Sequence, residues 1–281
     1  MGEKKWYKGK WQVSKEVAPL FIQYLNKIIQ RGLEIVKEGE IWELLSYHPL
    51  KQWEEEKKSI ESYAIVLQAL FPDATIDCEW ELISEKSWKI CWQTYFKPQR
   101  ITDDLIIIPK GWTYKPKIGE IAITIKPGMA FGTGMHETTK LCLKAMSVFY
   151  EKESPKSLLD VGTGTGILAI FGEKLGIEHI LAIDIDPLAI EEAKENLSLN
   201  HVKKIKLLHS SLEGINGLFD WVVANLEVKT ILPLKNKLKN IYRKSLILSG
   251  VLKSEVDDIK RTIGLPCRRI MNEGEWTCLI F

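Results

Sequence analysis

No C-x-x-C pair occurs among the five cysteines of this 281-residue sequence, Cys78, Cys91, Cys142, Cys267 and Cys278, and an odd number cannot all be joined. A zinc site needs ligands at short fixed spacings and a disulfide framework needs pairs, so reduced, buried thiols are expected and a metal is not. No run of 18 apolar residues occurs. The N-terminus, Met1-Gly2-Glu3-Lys4-Lys5-Trp6, lacks the apolar stretch and cleavage site of a signal peptide. A membrane partner is therefore not expected, and the cytoplasm is the expected compartment. A strong charge of either sign is also missing. Lysine and arginine total 39 against 37 acids, a net +2, so composition demands no nucleic-acid partner and direct binding of one is not expected. The lysines at 203, 204, 206, 235, 237, 239 and 244 read as solvated surface. Only 11 prolines, no repeat and no low-complexity tract interrupt a sequence that is 45% apolar and 27% charged, which excludes a disordered chain.

What is present fits two units, the best prior for this length. Eight of the ten tryptophans lie at or before Trp112. In that first part Trp6 to Ser14 alternates like a strand, and Val17, Leu20, Phe21, Tyr24, Leu25 and Ile28 recur at helical spacing. Leu33 to Val36 and Ile41 to Leu45 read as strands, Ile60 to Phe71 as a helix stopped by Pro72, and Thr75 to Ile83 as another strand. The order β-α-β-β-α-β is that of a small ferredoxin-like α+β domain over residues 1–95. Residues 96–126 connect it onward through short apolar strands at Leu105 to Ile108 and Ile121 to Ile125, too apolar for a free linker. From Ser157 strands alternate with helices: Leu158 to Val161, Ile167 to Leu175, Ile180 to Ile183, Pro187 to Leu199, Ile205 to Leu208, Trp221 to Ala224, a helix after Lys229, and Ser245 to Leu248. That alternation predicts an α/β, Rossmann-like domain with a mostly parallel sheet covered on both faces.

The strongest local signal is Leu158-Leu159-Asp160-Val161-Gly162-Thr163-Gly164-Thr165-Gly166-Ile167, a buried strand entering a glycine-rich turn and a helix. In open α/β sheets the ligand crevice lies there, at the carboxyl ends of the strands. A dinucleotide fingerprint needs glycine where Ile167 stands, and no Gly-Lys-Ser/Thr follows as a P-loop requires. Asp160 would repel a pyrophosphate and attract a cationic ligand such as the amine of S-adenosylmethionine. An ordinary strand-to-helix turn remains the competing explanation.

The second strand adds to the case. It ends in Ile183-Asp184-Ile185-Asp186-Pro187, with Asp184 18 residues after Gly166, near the spacing at which an acid accepts ribose hydroxyls. Asp186 before Pro187 suits a helix N-cap. The fourth strand runs into Asn225-Leu226-Glu227, where Asn225 fits either a turn or the orienting of an attacking amine. Glu227 fits either a base or a solvated carboxylate. The segment Pro127 to Thr139 is a further glycine-rich loop entering a helix from Lys140 to Phe149, and its His136 suits capping.

Together these segments resemble the ribosomal-protein-L-eleven methyltransferase family, often written PrmA. The resemblance covers Trp88 to Trp112, Pro127 to Thr139, Asp160 to Gly166, Ile183 to Pro187, Ala224 to Leu226, Ser249 to Leu252 and Glu273 to Trp276. Ala130-Phe131-Gly132-Thr133-Gly134 with His136 and Thr138-Thr139 is its most family-specific stretch. It implies a class I S-adenosylmethionine-dependent methyltransferase domain over residues 127–281. Thr139, Gly162, Asp184 and Asn225 then contact S-adenosylmethionine. Phe131, Gly132, Thr133, His136, Asp160 and Gly164 complete the cofactor site, and Asn225 and Leu226 stand at the acceptor. It further implies that the N-terminal domain, in a monomer, recognises a large-subunit ribosomal protein whose lysines and α-amine are methylated. Methylation of another protein, an RNA or a small molecule, or cofactor binding without catalysis, are the alternatives. The absence of a K/R-G-F/Y-G/A-F-V-x-F/Y match counts against RNA recognition by the N-terminal unit.

Overall fold

The computed structural model, which describes residues 5–29, 33–84, 97–126 and 136–281, turns the alternation of the N-terminal third into one antiparallel sheet. Its strands are β1 (Lys5–Ser14), β2 (Leu33–Lys37), β3 (Ile41–Pro49) and β4 (Ile76–Ser84), in the order β2-β3-β1-β4. Helices α1 (Ala18–Ile28) and α2 (Trp53–Leu70) join them in the order β-α-β-β-α-β. Alternate residues Trp11, Val13 and Leu44 form one core with Phe21, Leu25, Ile60 and Leu67. Helix α2 starts at Trp53, well before the Ile60 that apolar spacing predicts. Its first turn carries Glu54, Glu55 and Glu56, which favour the positive end of the helix dipole without contributing any apolar period. Trp53 itself stacks on Tyr7 with ring centroids 4.0 Å apart.

The chain divides into two units, Met1–Tyr95 and Phe96–Phe281. In the second, β5 (Gln99–Thr102), β6 (Leu105–Pro109) and β7 (Ile121–Ile125) make a small sheet, with β6 and β7 parallel and β5 antiparallel. Ile101, Leu105, Ile107, Ile123 and Ile125 are buried in one core with α3 (Glu137–Glu153) and α4 (Ile167–Leu175). The connecting region thus supplies part of the wall of the second unit.

The main sheet contains β8 (Ser157–Val161), β9 (His179–Asp184), β10 (Ile205–His209), β11 (Phe219–Asn225), β12 (Tyr242–Leu252), β13 (Arg269–Glu273) and β14 (Trp276–Ile280). Its order is β10-β9-β8-β11-β12-β14-β13. The first five strands are parallel, and β14 runs antiparallel to both β12 and β13. A dinucleotide domain shares the order of the first five and places a parallel strand sixth; here β14 takes that place. Helices α5 (Pro187–Leu199), α6 (Val228–Asn240) and α7 (Val256–Ile263) complete the unit. Neighbouring strand residues point to opposite faces. Leu158, Trp221, Val223 and Ile247 pack with α3 and α4, while Leu159, Val222, Ala224 and Leu248 pack with Ile231, Leu238 and Ile259 of α6 and α7. Strand order reverses at β8, so the crevice opens where β8 and β11 end.

Candidate active site

The turn after β8 exists because glycine accepts conformations other residues resist. Gly162, Gly164 and Gly166 have φ of 71°, 53° and 81°, a region that costs a side-chain-bearing residue about 1 to 2 kcal/mol. The turn hangs on the end of β9. The Gly162 and Thr163 amides both donate to the Ile183 carbonyl at 2.9 Å, and the Gly164 amide donates to Asp184 Oδ2 at 2.9 Å. Asp184 Oδ1 accepts from the Asp186 amide at 3.0 Å. The carboxylate that spacing assigns to ribose therefore also holds the glycine turn. Asp186 caps α5, its Oδ1 accepting from the Leu188 amide at 2.9 Å, with Pro187 in the first helical position.

Asp160 is wholly buried. Its Oδ2 accepts from the Thr163 hydroxyl at 2.6 Å and from the Ala169 amide at 3.2 Å, whereas Oδ1 is buried with no hydrogen-bond partner among the described residues. Burial pushes the carboxyl up to about 7, with the charge of Asp184 adding to the rise.

Three segments converge opposite this turn. Asn225, at the end of β11, donates from Nδ2 to Thr139 Oγ1 at 3.2 Å, and its Oδ1 is buried without a partner among the described residues. The next residue, Leu226, is gripped from two sides. A Cβ at Gly162 would lie 2.6 Å from Leu226 Cδ2, and one at Gly250 would lie 2.4 Å from the Leu226 carbonyl oxygen. The Leu226 amide donates to the Ser249 carbonyl at 3.0 Å, and the Ser249 hydroxyl donates to the Thr138 carbonyl at 3.0 Å. The start of α3 is thereby fixed on the ends of β11 and β12. His136 is the N-cap of that helix, its Nδ1 accepting from the Thr138 amide at 3.3 Å, and its ring meets Trp276 edge-on at 5.2 Å. Burial holds the imidazole below its usual pKa.

Of the residues predicted from sequence, Asp160, Gly162 and Gly164 lie on β8 and its turn, Asp184 ends β9, Asn225 and Leu226 lie at and just past the end of β11, and Thr139 lies in the first turn of α3, which His136 caps. Phe131, Gly132 and Thr133 lie outside the described residues. Glu227 faces solvent, its side chain 65% exposed and ion-paired with Lys229 at 2.5 Å. Among the described residues no three His, Cys, Asp or Glu side chains gather to hold a metal. Cys142 and Cys278 are buried in the core between α3 and the sheet.

Sequence reasoning passed over Ser249 and Gly250 as contributors to the Asn225 turn, and it passed over Asn196 and Asn200. A signal for the asparagines was available: Ala189, Ala193, Asn196 and Asn200 recur at helical spacing along the buried face of α5.

A family model described as ribosomal protein L11 methyltransferase (PrmA) matches residues 22–281. A curated ribosomal protein L11 methyltransferase of Clostridium botulinum (strain Eklund 17B / Type B) is 39% identical over 208 residues, covering 72% of this chain and 66% of its own length. One from Clostridium perfringens (strain ATCC 13124) is 36% identical with the same coverage. The match thus spans just under two thirds of those relatives. The crystal structure of a ribosomal protein L11 methylase from Lactobacillus delbrueckii subsp. bulgaricus superimposes with a TM-score of 0.62 at 31% identity, covering 66% of this chain and 97% of that one.

Proposed function

Because the chain belongs to the ribosomal protein L11 methyltransferase family, we propose that it transfers methyl groups from S-adenosylmethionine to amine nitrogens of ribosomal protein L11. The observation that carries this reading is the pairing at the strand-order reversal of two buried, unpartnered oxygens, Asp160 Oδ1 and Asn225 Oδ1, with a glycine turn at which bulk is excluded. Asn225 Oδ1, and Asp160 Oδ1 once ionised, are acceptors in want of a donor, and a ligand rich in N–H groups and carrying a positive charge suits them.

S-adenosylmethionine supplies, when bound, a methyl group on a cationic sulfur. Asp184 would accept from the ribose hydroxyls with lone pairs left over from the Gly164 and Asp186 amides, and Gly162 and Gly164 allow close approach to the turn. Asp160 would face the cationic amino-acid portion. The acceptor nitrogen must be neutral to attack. For a lysine of pKa about 10.4 that costs about 4 to 5 kcal/mol at pH 7, and for an α-amine near 8 about 1 kcal/mol. Asn225 Oδ1 would accept an acceptor N–H and aim its lone pair, while Nδ2 stays anchored on Thr139. Leu226, held between Gly162 and Gly250, forms an apolar wall that keeps water off the reacting nitrogen. Glu227, exposed and paired with Lys229, is too solvated to be favoured as a base; the amine gives up its proton to solvent before it enters the site.

The N-terminal unit, read as ferredoxin-like from its element order and strand order, serves as the recognition domain for the ribosomal protein, and the whole acts as a cytoplasmic monomer that contacts neither membrane nor nucleic acid. Peptide mass spectrometry of L11 after reaction tests the amine assignment. Methylation confined to lysine-containing peptides and the N-terminal peptide supports it, and methylated carboxylates or an unmodified protein overturn it.

A further inference from the structure

Helix α5 touches the glycine turn through a residue that the proposed reaction does not use. Asn196 is buried, 1% exposed. Its Nδ2 donates to the Thr165 carbonyl at 2.9 Å, and its Oδ1 accepts from the Lys126 amide at 2.9 Å. Thr165 is the fourth residue of the turn, and its carbonyl belongs to the peptide that enters Gly166. That peptide is confined from the same helix by contact: a Cβ at Gly166 would lie 3.0 Å from Leu197 Cδ1 and 3.3 Å from Ala193 Cβ.

One helical turn further on, Asn200 Oδ1 accepts from the Thr124 amide at 2.8 Å, and its Nδ2 donates to the Thr124 carbonyl and to the Asn196 carbonyl. Residues four apart on a helix rise by about 6 Å, and residues two apart on a strand by about 6.5 Å. The two carboxamides therefore meet alternate positions along one edge, Thr124 in β7 and Lys126 just past its end, as a neighbouring strand would. Asn200 spends its side chain on β7 and its own helix. Asn196 alone divides its carboxamide between the segment leaving β7 and the turn at which the cofactor is read to bind.

We propose that Asn196 is a positioning residue of the cofactor site, whose carboxamide sets the Thr165–Gly166 peptide and so the direction in which the glycine turn presents its amides. This rests on the reading of that turn as the S-adenosylmethionine site. Removing the Asn196 donor takes a hydrogen bond from this carbonyl in a place that water does not reach, which loosens the hold on the peptide. Asn196→Asp keeps the acceptor for Lys126 and puts an oxygen against the Thr165 carbonyl. Asn200→Asp makes the same chemical change one turn away without touching the glycine turn.

The test compares these two full-length variants and Asn196→Ser, whose hydroxyl is the gentler change should the aspartate fail to fold, using material shown by thermal unfolding to be native. Two readouts are taken: calorimetric affinity for S-adenosylmethionine, and hydrogen exchange of the amides from Gly162 to Gly166. Asn196 variants are expected to bind about tenfold more weakly, with exchange quickened at the turn, while kcat at saturating cofactor stays within about threefold of the wild type. Asn200→Asp is expected to keep wild-type affinity and turn protection. Affinity and exchange in the Asn196 variants within twofold of the wild type, or an equal loss in Asn200→Asp, would overturn the proposal. A wild type that does not bind S-adenosylmethionine would overturn the cofactor reading instead, and the exchange comparison would still decide the role of Asn196.

Discussion

At the scale of single residues, the two orphaned oxygens make separable demands. On the proposed assignment, removing Asn225 takes away the group aimed at the acceptor and leaves the contacts of Asp184 and the glycine turn to the cofactor in place. Asn225→Ala is therefore expected to lower the single-turnover rate by about a hundredfold or more at saturating cofactor while changing its Kd little. A wild-type rate would make the residue an ordinary turn asparagine. Asp184→Ala should act mainly on binding. It loses ribose bonds of about 1.5 to 3 kcal/mol each and frees the Gly164 amide as well, so calorimetry should show affinity down by at least about tenfold. Asp186→Ala, a lost cap, should cost stability of about 1 kcal/mol and spare affinity. Asp160 adds a pH dependence. Burial raises its folded pKa from the usual 3.8 to about 7, so the folded chain holds a proton that the unfolded chain has released. Stability attributable to this group therefore falls as pH climbs from about 4 through 7. A cation bound beside it draws that proton off, so cofactor affinity should tighten as pH rises through about 7, where the carboxyl titrates. In Asp160→Asn the slope should vanish, and equal slopes in both proteins would remove Asp160 from the cation's surroundings.

At the scale of elements, the site depends on how three turns are pressed together, and the glycines measure that pressure. At Gly250 an added Cβ meets the Leu226 backbone oxygen at 2.4 Å with φ at +87°, so neither partner yields. Gly250→Ala should cost more than about 2 kcal/mol in thermal unfolding and displace Asn225. At Gly162, where φ is +71°, the Cβ meets only the tip of the Leu226 side chain, and Gly162→Ala should cost less. The reverse order would contradict the clamp. The strands and helices of the parallel part were legible because each is a run of apolar residues bounded by turn chemistry, and the Asp186-Pro187 cap was legible because its physics is local. What escaped was non-local or short. Strand β14 is recognisable as the antiparallel intruder only once β12 and β13 flank it, and α7 and β13 are brief and end at Gly264 and Gly274. The start of α2 was hidden by charge that serves a dipole instead of a core. Asp184 was legible as an acid at the right distance, but its hold on the Gly164 amide is a contact between strands that no local pattern encodes.

At the scale of the whole molecule, two units with separate cores should answer to different stimuli. In the first, His48 is buried, with Nδ1 on Glu56 Oε2 at 2.7 Å and Nε2 accepting from the Ser46 hydroxyl at 2.9 Å, and that hydroxyl oxygen in turn accepts from the Trp11 indole. Burial lowers the imidazole to about 4 from 6.5. Here the unfolded chain takes up the proton first, so stability is lost as pH falls from 6.5 towards 4. Glu56, also raised by burial, offsets part of this at the acid end. Calorimetry should place the acid-sensitive transition in the N-terminal unit, and His48→Phe should flatten it. A fragment from residue 97 keeps β5, whose Ile101 belongs to the core of the second unit. It should bind S-adenosylmethionine as the full chain does and, on the recognition role proposed for the first unit, methylate L11 far more slowly. The most direct test of the account uses the full chain, radiolabelled S-adenosylmethionine and each unmethylated large-subunit ribosomal protein in turn. Label should enter L11 alone and disappear with Asn225→Ala, whereas a chain that binds the cofactor but leaves L11 unlabelled, or labels RNA in its place, would contradict it.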